Sequence, residues 1–167
     1  MMRNTFQLNI LAAFALFLGG CNSNIVYKAS KEIPGGVWSY QDTLLFDFNI
    51  EDTLSVYNLN LEIEHSPEFS YQNLYTRIFT GFPSGDRARQ VVSLELADKS
   101  GMWQGKCGKK KCLLKIPIQE NAYFNQRGAY SMTIEQYMRQ DNLPGIYGFT
   151  LSIEKQDRQR EIKESGE

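Results

Sequence analysis

Short runs of alternating apolar and polar residues fill most of this chain. The clearest is "VYNLNLEIEH", in which Tyr57, Leu59, Leu61 and Ile63 alternate with polar residues. A period of two is typical of a β-strand with one buried face and one solvated face. Similar runs cover residues 35–40, 43–50, 72–82, 88–97, 102–107, 112–120, 128–138 and 146–155. Turn sequences such as "PSG" and "DKSG" separate them, so the pattern predicts about eight strands and no long helix.

Many short strands at this spacing indicate an all-β protein, and we expect an antiparallel β-sandwich, with a jelly roll as one arrangement that fits. Pro117 lies inside a predicted strand and has no N–H to donate, which favours a sheet edge or a bulge there. We expect one sandwich domain over residues 35–155. Residues 156–167, "QDRQREIKESGE", are charged and have no hydrophobic face, which predicts a disordered tail.

The N-terminal segment has the pattern of an export signal. Arg3 precedes an apolar run from Ile10 to Leu18, which is shorter than the roughly 20 residues that span a bilayer. The run ends in "LGGC", which resembles the lipobox of bacterial lipoproteins. The resemblance implies cleavage before Cys21 and acylation of that cysteine. Residues 1–20 would then be a signal peptide and residues 21–34 a lipidated tether, while the alternative is an ordinary signal that happens to end near a cysteine.

Two further cysteines, Cys107 and Cys112, flank the sequence "GKKK". A loop of this length places the two residues opposite each other across a hairpin, within reach of a disulfide. Exported proteins meet an oxidising compartment in many bacteria, which favours that bond. The alternatives are two free thiols or a zinc site, for which the nearby sequence supplies too few ligands. We therefore predict no metal site.

Charge and motifs give little support to catalysis. The formal net charge is −1, and removal of Arg3 makes it one unit more negative, so nothing points to nucleic acid. His65 is the sole histidine, and we expect it in a surface loop. Because no nucleophile, phosphate-loop or metalloprotease motif is present, we expect no enzyme activity, no small-molecule substrate and no cofactor besides the lipid on Cys21. A glycosidase-like carboxylate pair stays an alternative because Glu is abundant.

The densest charge is the lysine cluster at Lys106 and residues 109–111. A solvated hairpin tip explains these lysines most simply. Contact with an anionic surface or an acidic partner is the other interpretation.

Four segments together carry a family resemblance: "GGVWSYQDTLLFDFNIEDT", "YNLNLEIEHSPEFSYQNLYTRIFTGFPSG", "LELADKSGMWQGKCGKKK" and "LPGIYGFTLSIEK". The most specific piece is "LAD-x-x-G-x-W-x-G", which contains Asp98, Gly101 and Trp103. In order, spacing and length, the chain resembles the GldH-type gliding-motility lipoproteins of Bacteroidetes. The "CGKKKC" sequence departs from the Gly-rich sequence common at that place in the family, so the cysteine pair reads as a local elaboration.

The resemblance implies a non-enzymatic accessory lipoprotein of the cell envelope that is needed for gliding. It would act through contacts with envelope motility or secretion proteins, associated with machinery that overlaps type IX secretion. Asp98 and Gly101 would shape a turn with Trp103 packed beside it, or these residues would line a contact surface. A carbohydrate-binding lipoprotein that uses exposed aromatic residues is the alternative function.

The residues after Cys21, "NSNIVYK", lack the acidic cluster that resembles a surface-export signal in these bacteria. This favours an outer-membrane protein that faces the periplasm and is held to the membrane by its lipid.

Overall fold

The computed structural model describes residues 24–161 and, within them, eleven β-strands and one short 3₁₀ turn at Pro34–Gly36. The strands are β1 (Ile25–Glu32), β2 (Val37–Ser39), β3 (Leu44–Ile50), β4 (Ser55–His65), β5 (Asn73–Gly81), β6 (Arg87–Glu95), β7 (Lys106–Cys107), β8 (Cys112–Ala122), β9 (Gly128–Gln136), β10 (Asn142–Pro144) and β11 (Ile146–Gln159). The predicted all-β class is confirmed. The strand count is higher than eight because three very short strands, β2, β7 and β10, add to eight long ones. Cys21 and the predicted signal peptide lie outside the described residues.

Two antiparallel sheets form the sandwich. Sheet I has the order β1-β11-β4-β8-β7 and sheet II the order β3-β9-β5-β6, while β2 and β10 form a separate ribbon. Among the long strands, β1 pairs with β11, β3 with β9, β4 with β8 and β5 with β6. The first half of the chain therefore pairs with the second half in reverse order, around the β5–β6 hairpin. This folding of one long hairpin over two sheets is the jelly-roll arrangement.

The inward positions of the two sheets form one core. Leu61 and Ile63 of sheet I and Phe46 and Ile134 of sheet II have no exposed surface. Full burial of such side chains contributes roughly 1.5–3 kcal/mol each, which makes this interior the main source of stability. The predicted alternation in β4 is confirmed, since Tyr57, Leu59, Leu61 and Ile63 are all buried.

The sandwich extends beyond the domain bounds expected from the sequence. Residues 25–32 form strand β1, which pairs with β11, so the expected tether through residue 34 is wrong for this segment. Tyr27 explains the strand, because its ring packs 5.4 Å from that of Phe48. At the other terminus β11 continues to Gln159, which pairs with Ser55, so the strand includes the first residues of the expected tail.

The strands run between two ends of the sandwich, and different loops and strand termini form each end. The Asn24 end consists of the start of β1, the loops at residues 51–54, 82–86 and 123–127, and the last residues of β11. The disulfide end consists of the 3₁₀ turn, the loops at residues 66–72 and 96–105, and the hairpin that joins β7 to β8. Within residues 24–161, no helix is long and apolar enough to cross a membrane.

Candidate interaction surface

The "LAD-x-x-G-x-W-x-G" motif forms a turn that connects the two sheets at the disulfide end. The Asp98 carboxylate accepts hydrogen bonds from the Ser100 hydroxyl at 2.6 Å and from the Met102 backbone N–H at 3.0 Å. These bonds hold the pKa of Asp98 below its ordinary value, with the Ser100 hydroxyl as the largest cause. Gly101 has φ +85°, in the left-handed region that favours glycine. Asp98 and Gly101 therefore shape this turn.

Trp103 covers the end of the core next to that turn. Its indole N–H donates to the Pro67 carbonyl oxygen at 2.9 Å, and Trp103 forms a β-bridge with Ala97. The ring centroid lies 4.7 Å from that of His65. Trp103 thus joins the 96–105 loop to β4 and to the loop that follows it, which is a structural role.

His65 is buried, and the expectation of a surface loop is wrong. Its side chain has no exposed surface, and Trp103 and Phe69 pack beside it. The Nδ1–H donates to the Ser66 carbonyl oxygen at 2.9 Å, whereas Nε2 is buried without a hydrogen-bond partner. Burial lowers the pKa of His65, and the bond to Ser66 opposes this only in part. The ring is therefore neutral inside the fold near neutral pH.

A disulfide joins Cys107 to Cys112 at the start of β8. The two residues face each other in the β7–β8 pairing, as expected for a hairpin with this loop. Lys106 and residues 109–111 are exposed around the tip, and Lys111 forms an ion pair with Glu64 at 2.7 Å. The residue before β7 is tightly packed, because a Cβ on Gly105 would clash with the Leu113 carbonyl oxygen.

The two tryptophans do not form an exposed platform. Trp38 is completely buried, with its ring 4.9 Å from that of Phe149, and Trp103 is half-buried. In the "SPEFSYQNLY" segment Phe69 is buried, while Tyr71 and Tyr75 are partly exposed. These residues therefore do not form the row of exposed aromatic rings on which a carbohydrate-binding site would stack sugars.

The outer face of sheet II exposes a group of aromatic, arginine and valine side chains. We call it the Tyr–Arg face and define it by outward residues that are neighbours in the β9-β5-β6 register: Tyr75, Arg77, Phe79, Arg89, Val91 and Tyr137. Val91 is 53% exposed, Tyr137 47% and Tyr75 44%. The Arg77 guanidinium lies 4.3 Å from the centre of the Tyr137 ring and 3.7 Å from Glu135. Tyrosine and arginine are enriched at protein interfaces and dominate their binding energy.

The outer face of sheet I is different in composition. It carries two ion pairs, Lys115 with Glu154 at 2.6 Å and Lys111 of the hairpin tip with Glu64 at 2.7 Å, beside one exposed apolar side chain, Leu113. Lysine and glutamate are depleted at interfaces, and exposed pairs of this kind are typical of a solvated surface. Because the two faces of one sandwich differ in this way, the Tyr–Arg face is the candidate interaction surface.

The Tyr–Arg face was not among the features expected from the sequence, but a signal for it exists. In β4 the outward residues are Asn58, Asn60, Glu62 and Glu64, whereas β5 places Tyr75, Arg77 and Phe79 outward. A strand whose solvated positions hold aromatic residues is unusual for a free surface.

Catalytic or metal-binding geometry has little support in the described residues. A groove of about 520 Å³ over Gly148 includes Glu62 and Glu64 in its lining, but the Glu64 carboxylate is bound by Lys111. Between residues 24 and 161, no group of three or more His, Cys, Asp or Glu side chains is placed to hold a metal ion.

Comparison with known proteins gives a consistent result. The model of the GldH lipoprotein family matches residues 25–153. A gliding motility lipoprotein GldH homolog of Christiangramia forsetii is 25% identical over 163 residues, which cover 93% of this chain and 99% of the relative. The gliding motility lipoprotein GldH of Flavobacterium johnsoniae is 24% identical over 138 residues, or 82% of this chain and 85% of the relative.

Among solved structures, a 4-O-methyl-α-glucuronidase with specificity for decorated arabinogalactans is similar over 77% of this chain and 14% of that one. Its TM-score is 0.42 and its identity 12%, which is too distant to bear on function. The family match spans β1 to β11 and includes the Asp98–Trp103 turn and the disulfide hairpin. On this evidence the chain belongs to the GldH lipoprotein family.

Proposed function

We propose that this protein is a non-enzymatic accessory lipoprotein of the gliding-motility machinery, held to the outer membrane by acyl chains on Cys21 and facing the periplasm. It acts through protein contacts, and the Tyr–Arg face is the surface that binds a neighbouring envelope protein of the motility or secretion machinery. The names of the relatives support the link to gliding. The "LGGC" sequence supports the anchor, because two or more acyl chains hold a protein stably on a membrane.

The observation that carries the proposal is the contrast between the two sheet faces. Sheet II exposes Tyr137 beside Tyr75 and Val91 opposite Arg77, with one ion pair of Arg77 and Glu135, while sheet I exposes two closer ion pairs. A solvated surface has no need of the first arrangement, whereas a partner that buries it gains apolar area and arginine contacts.

The main experiment places a photo-crosslinking amino acid at Val91 in living cells, with Lys28 on sheet I as the matched exposed position. We expect an envelope protein to crosslink at Val91 and not at Lys28. Recovery of no envelope protein at Val91, or the same set at both positions, would refute the role of this face.

A second experiment connects the face to gliding. We expect Val91→Glu combined with Arg89→Glu to reduce colony spreading at unchanged protein level, while Lys28→Glu leaves spreading intact. Normal spreading of the double variant would count against the proposal, and so would normal spreading and protein secretion after deletion of the gene. Binding of wild-type protein on a glycan array, lost in the same double variant, would favour the carbohydrate alternative.

The absence of catalysis has its own test. The double variant Glu62→Gln, Glu64→Gln removes the two carboxylates that line the groove on sheet I. We expect it to restore gliding to a deletion strain as the wild type does, and a failure with the protein folded and present would revive a hydrolase function. Protease treatment of intact cells tests the orientation, since a periplasmic protein is not removed.

A further inference from the structure

Apolar side chains are exposed at the Asn24 end of the sandwich, away from the Tyr–Arg face. Tyr123 is 55% exposed, Val26 48%, Leu54 42%, Ile25 40% and Phe82 38%. They come from four separate segments of the chain, namely β1 and the loops at residues 51–54, 82–86 and 123–127. Exposed apolar side chains that form a contiguous patch mark a contact site, whereas singly scattered ones do not.

Direct contacts connect these segments. The Arg160 N–H donates to the Leu54 carbonyl oxygen at 2.9 Å, and the Arg160 guanidinium lies 5.7 Å from the centre of the Tyr123 ring. Tyr123 and Phe82 line one cleft of about 240 Å³. On the other side, the Lys155 N–H donates to the Asn24 carbonyl oxygen at 2.7 Å. The Lys155 ammonium in turn pairs with Asp52 of the 51–54 loop at 2.7 Å. The start of β1 and these loops therefore meet at the same end of the sandwich.

The length of the chain fixes how far this end can lie from the anchor. Cys21 precedes Asn24 by three residues, and a fully extended chain covers at most about 3.3–3.6 Å per residue. The acylated cysteine is thus within about 11 Å of the Asn24 end. The disulfide end is farther away by the length of strand β4, about 35 Å at 3.3 Å per residue.

We propose that the Asn24 end rests on the lipid surface that holds Cys21, with Leu54, Phe82 and Tyr123 in the interfacial layer of the bilayer. The inference rests on the acylation of Cys21 that the proposed function includes. Aromatic side chains with a polar atom, such as Tyr123, are enriched at the level of lipid headgroups. Apolar side chains of surface-bound segments enter the same layer.

Charge determines which lipid chemistry this end accepts. The end carries Lys155 and arginines at positions 87, 127, 158 and 160 together with acidic residues at positions 51, 52, 86, 120, 157 and 161. Because positive and negative side chains are present in similar numbers, we expect this end to bind anionic lipid no more strongly than zwitterionic lipid. The contact is therefore apolar, and zwitterionic lipid is sufficient.

The test uses the complete lipidated protein in vesicles of phosphatidylethanolamine and phosphatidylcholine. An environment-sensitive fluorophore is attached at Arg127→Cys, which is exposed at the Asn24 end, or at Lys99→Cys, which is exposed at the disulfide end. We expect a blue shift and quenching by doxyl-labelled lipid at position 127 and neither at position 99. Equal signals at both positions would overturn the proposal.

A pair of variants separates the contact from the anchor. Leu54→Glu with Tyr123→Glu places charge in the contact, and Tyr75→Glu with Val91→Glu places the same charge on the Tyr–Arg face as a matched control. We expect the first pair to abolish quenching at position 127 while the protein still sediments with vesicles, and the second pair to leave quenching unchanged. Unchanged quenching in the first pair would refute the contact. Failure of wild-type protein to sediment would refute the anchor, and with it this inference, but not the partner surface that crosslinking at Val91 tests.

Discussion

His65 gives the most specific prediction of the structure, because it is the sole histidine of the chain. The ordinary pKa of a histidine side chain is about 6.5, so His65 is the side chain expected to change its charge between pH 7.5 and pH 5. Desolvation lowers the pKa of His65 in the folded state. Below pH 6.5 His65 is therefore protonated in the unfolded chain while it is still neutral in the folded chain. Stability must fall as the pH falls from about 6.5 toward the folded value.

The magnitude of this effect has a fixed upper limit. One proton corresponds to a slope of at most about 1.4 kcal/mol per pH unit in the free energy of unfolding. The aromatic rings beside His65 are Trp103 and Phe69, neither of which carries a charge, and its register partners are Ile146 and the disulfide-bonded Cys112. At pH 6.5 half of the unfolded chains carry the proton, so the slope there is about half of this limit. It steepens toward the limit at lower pH for as long as the folded ring stays neutral.

The perturbation is His65→Phe, which keeps an aromatic ring between Trp103 and Phe69. The variant loses the bond to Ser66, worth about 1 kcal/mol, and also loses the unpartnered Nε2, whose burial costs roughly 1–3 kcal/mol. These effects have opposite signs, so we expect similar stability to the wild type at pH 7.5 and higher stability than the wild type at pH 5.5.

Urea unfolding at several pH values, followed by tryptophan fluorescence, measures both stabilities. The dependence on urea should be equal in the two proteins, since the surface exposed on unfolding is nearly unchanged. A wild-type stability that is flat from pH 7.5 to 5.5 would refute the burial argument. An equal slope in His65→Phe would assign the pH dependence to another group.

Three further predictions concern the disulfide end. Trp103→Ala should lower the free energy of unfolding by roughly 2–4 kcal/mol, and Trp103→Phe by less, because Phe keeps the packing on His65 and loses only the indole bond to Pro67. Gly105→Ala should cost more than about 2 kcal/mol, since its Cβ meets a backbone oxygen at positive φ, whereas Gly85→Ala, at positive φ but with open space around it, should cost only about 1–2 kcal/mol. Similar losses at both glycines would contradict the close contact. Reduction of the Cys107–Cys112 bond should cost about 2 kcal/mol and leave far-ultraviolet circular dichroism unchanged, because the closed loop is short, and loss of the β signal would show that the bond is required for folding.

The features that could be predicted from the sequence are those fixed by local pattern. The alternation from Tyr57 to Ile63 predicts strand β4 and its buried face, because a period of two is imposed by the strand itself. The "DKSG" sequence predicts a turn because the Asp98 carboxylate can bond the backbone within four residues.

The features that could not be predicted depend on contacts between distant residues. His65 is buried by Trp103, which lies 38 positions later in the chain. The sequence around His65 does not indicate that contact. In strand β1 one aromatic residue, Tyr27, points toward the core. The strand otherwise forms because its backbone pairs with the edge of β11. The sequence "LPG" at residues 143–145 reads as a turn, yet Asn142–Pro144 pairs with Val37–Ser39, because Leu143 and Trp38 are both fully buried in the core.

The two proposed surfaces constrain the partner when they are taken together. Strand β5 runs from the disulfide end to the Asn24 end, so the Tyr–Arg face stands upright on a membrane that meets the Asn24 end. A strand of nine residues is about 30 Å long, so every residue of that face lies within this distance of the lipid surface. A partner bound at Val91 must then reach the same layer above the lipid surface. Membrane-bound proteins meet this requirement, whereas a freely soluble protein lacks the advantage of a shared location. Crosslinks at Val91 that recover a membrane-bound protein would therefore support the two surfaces jointly, and recovery of a freely soluble protein alone would separate them.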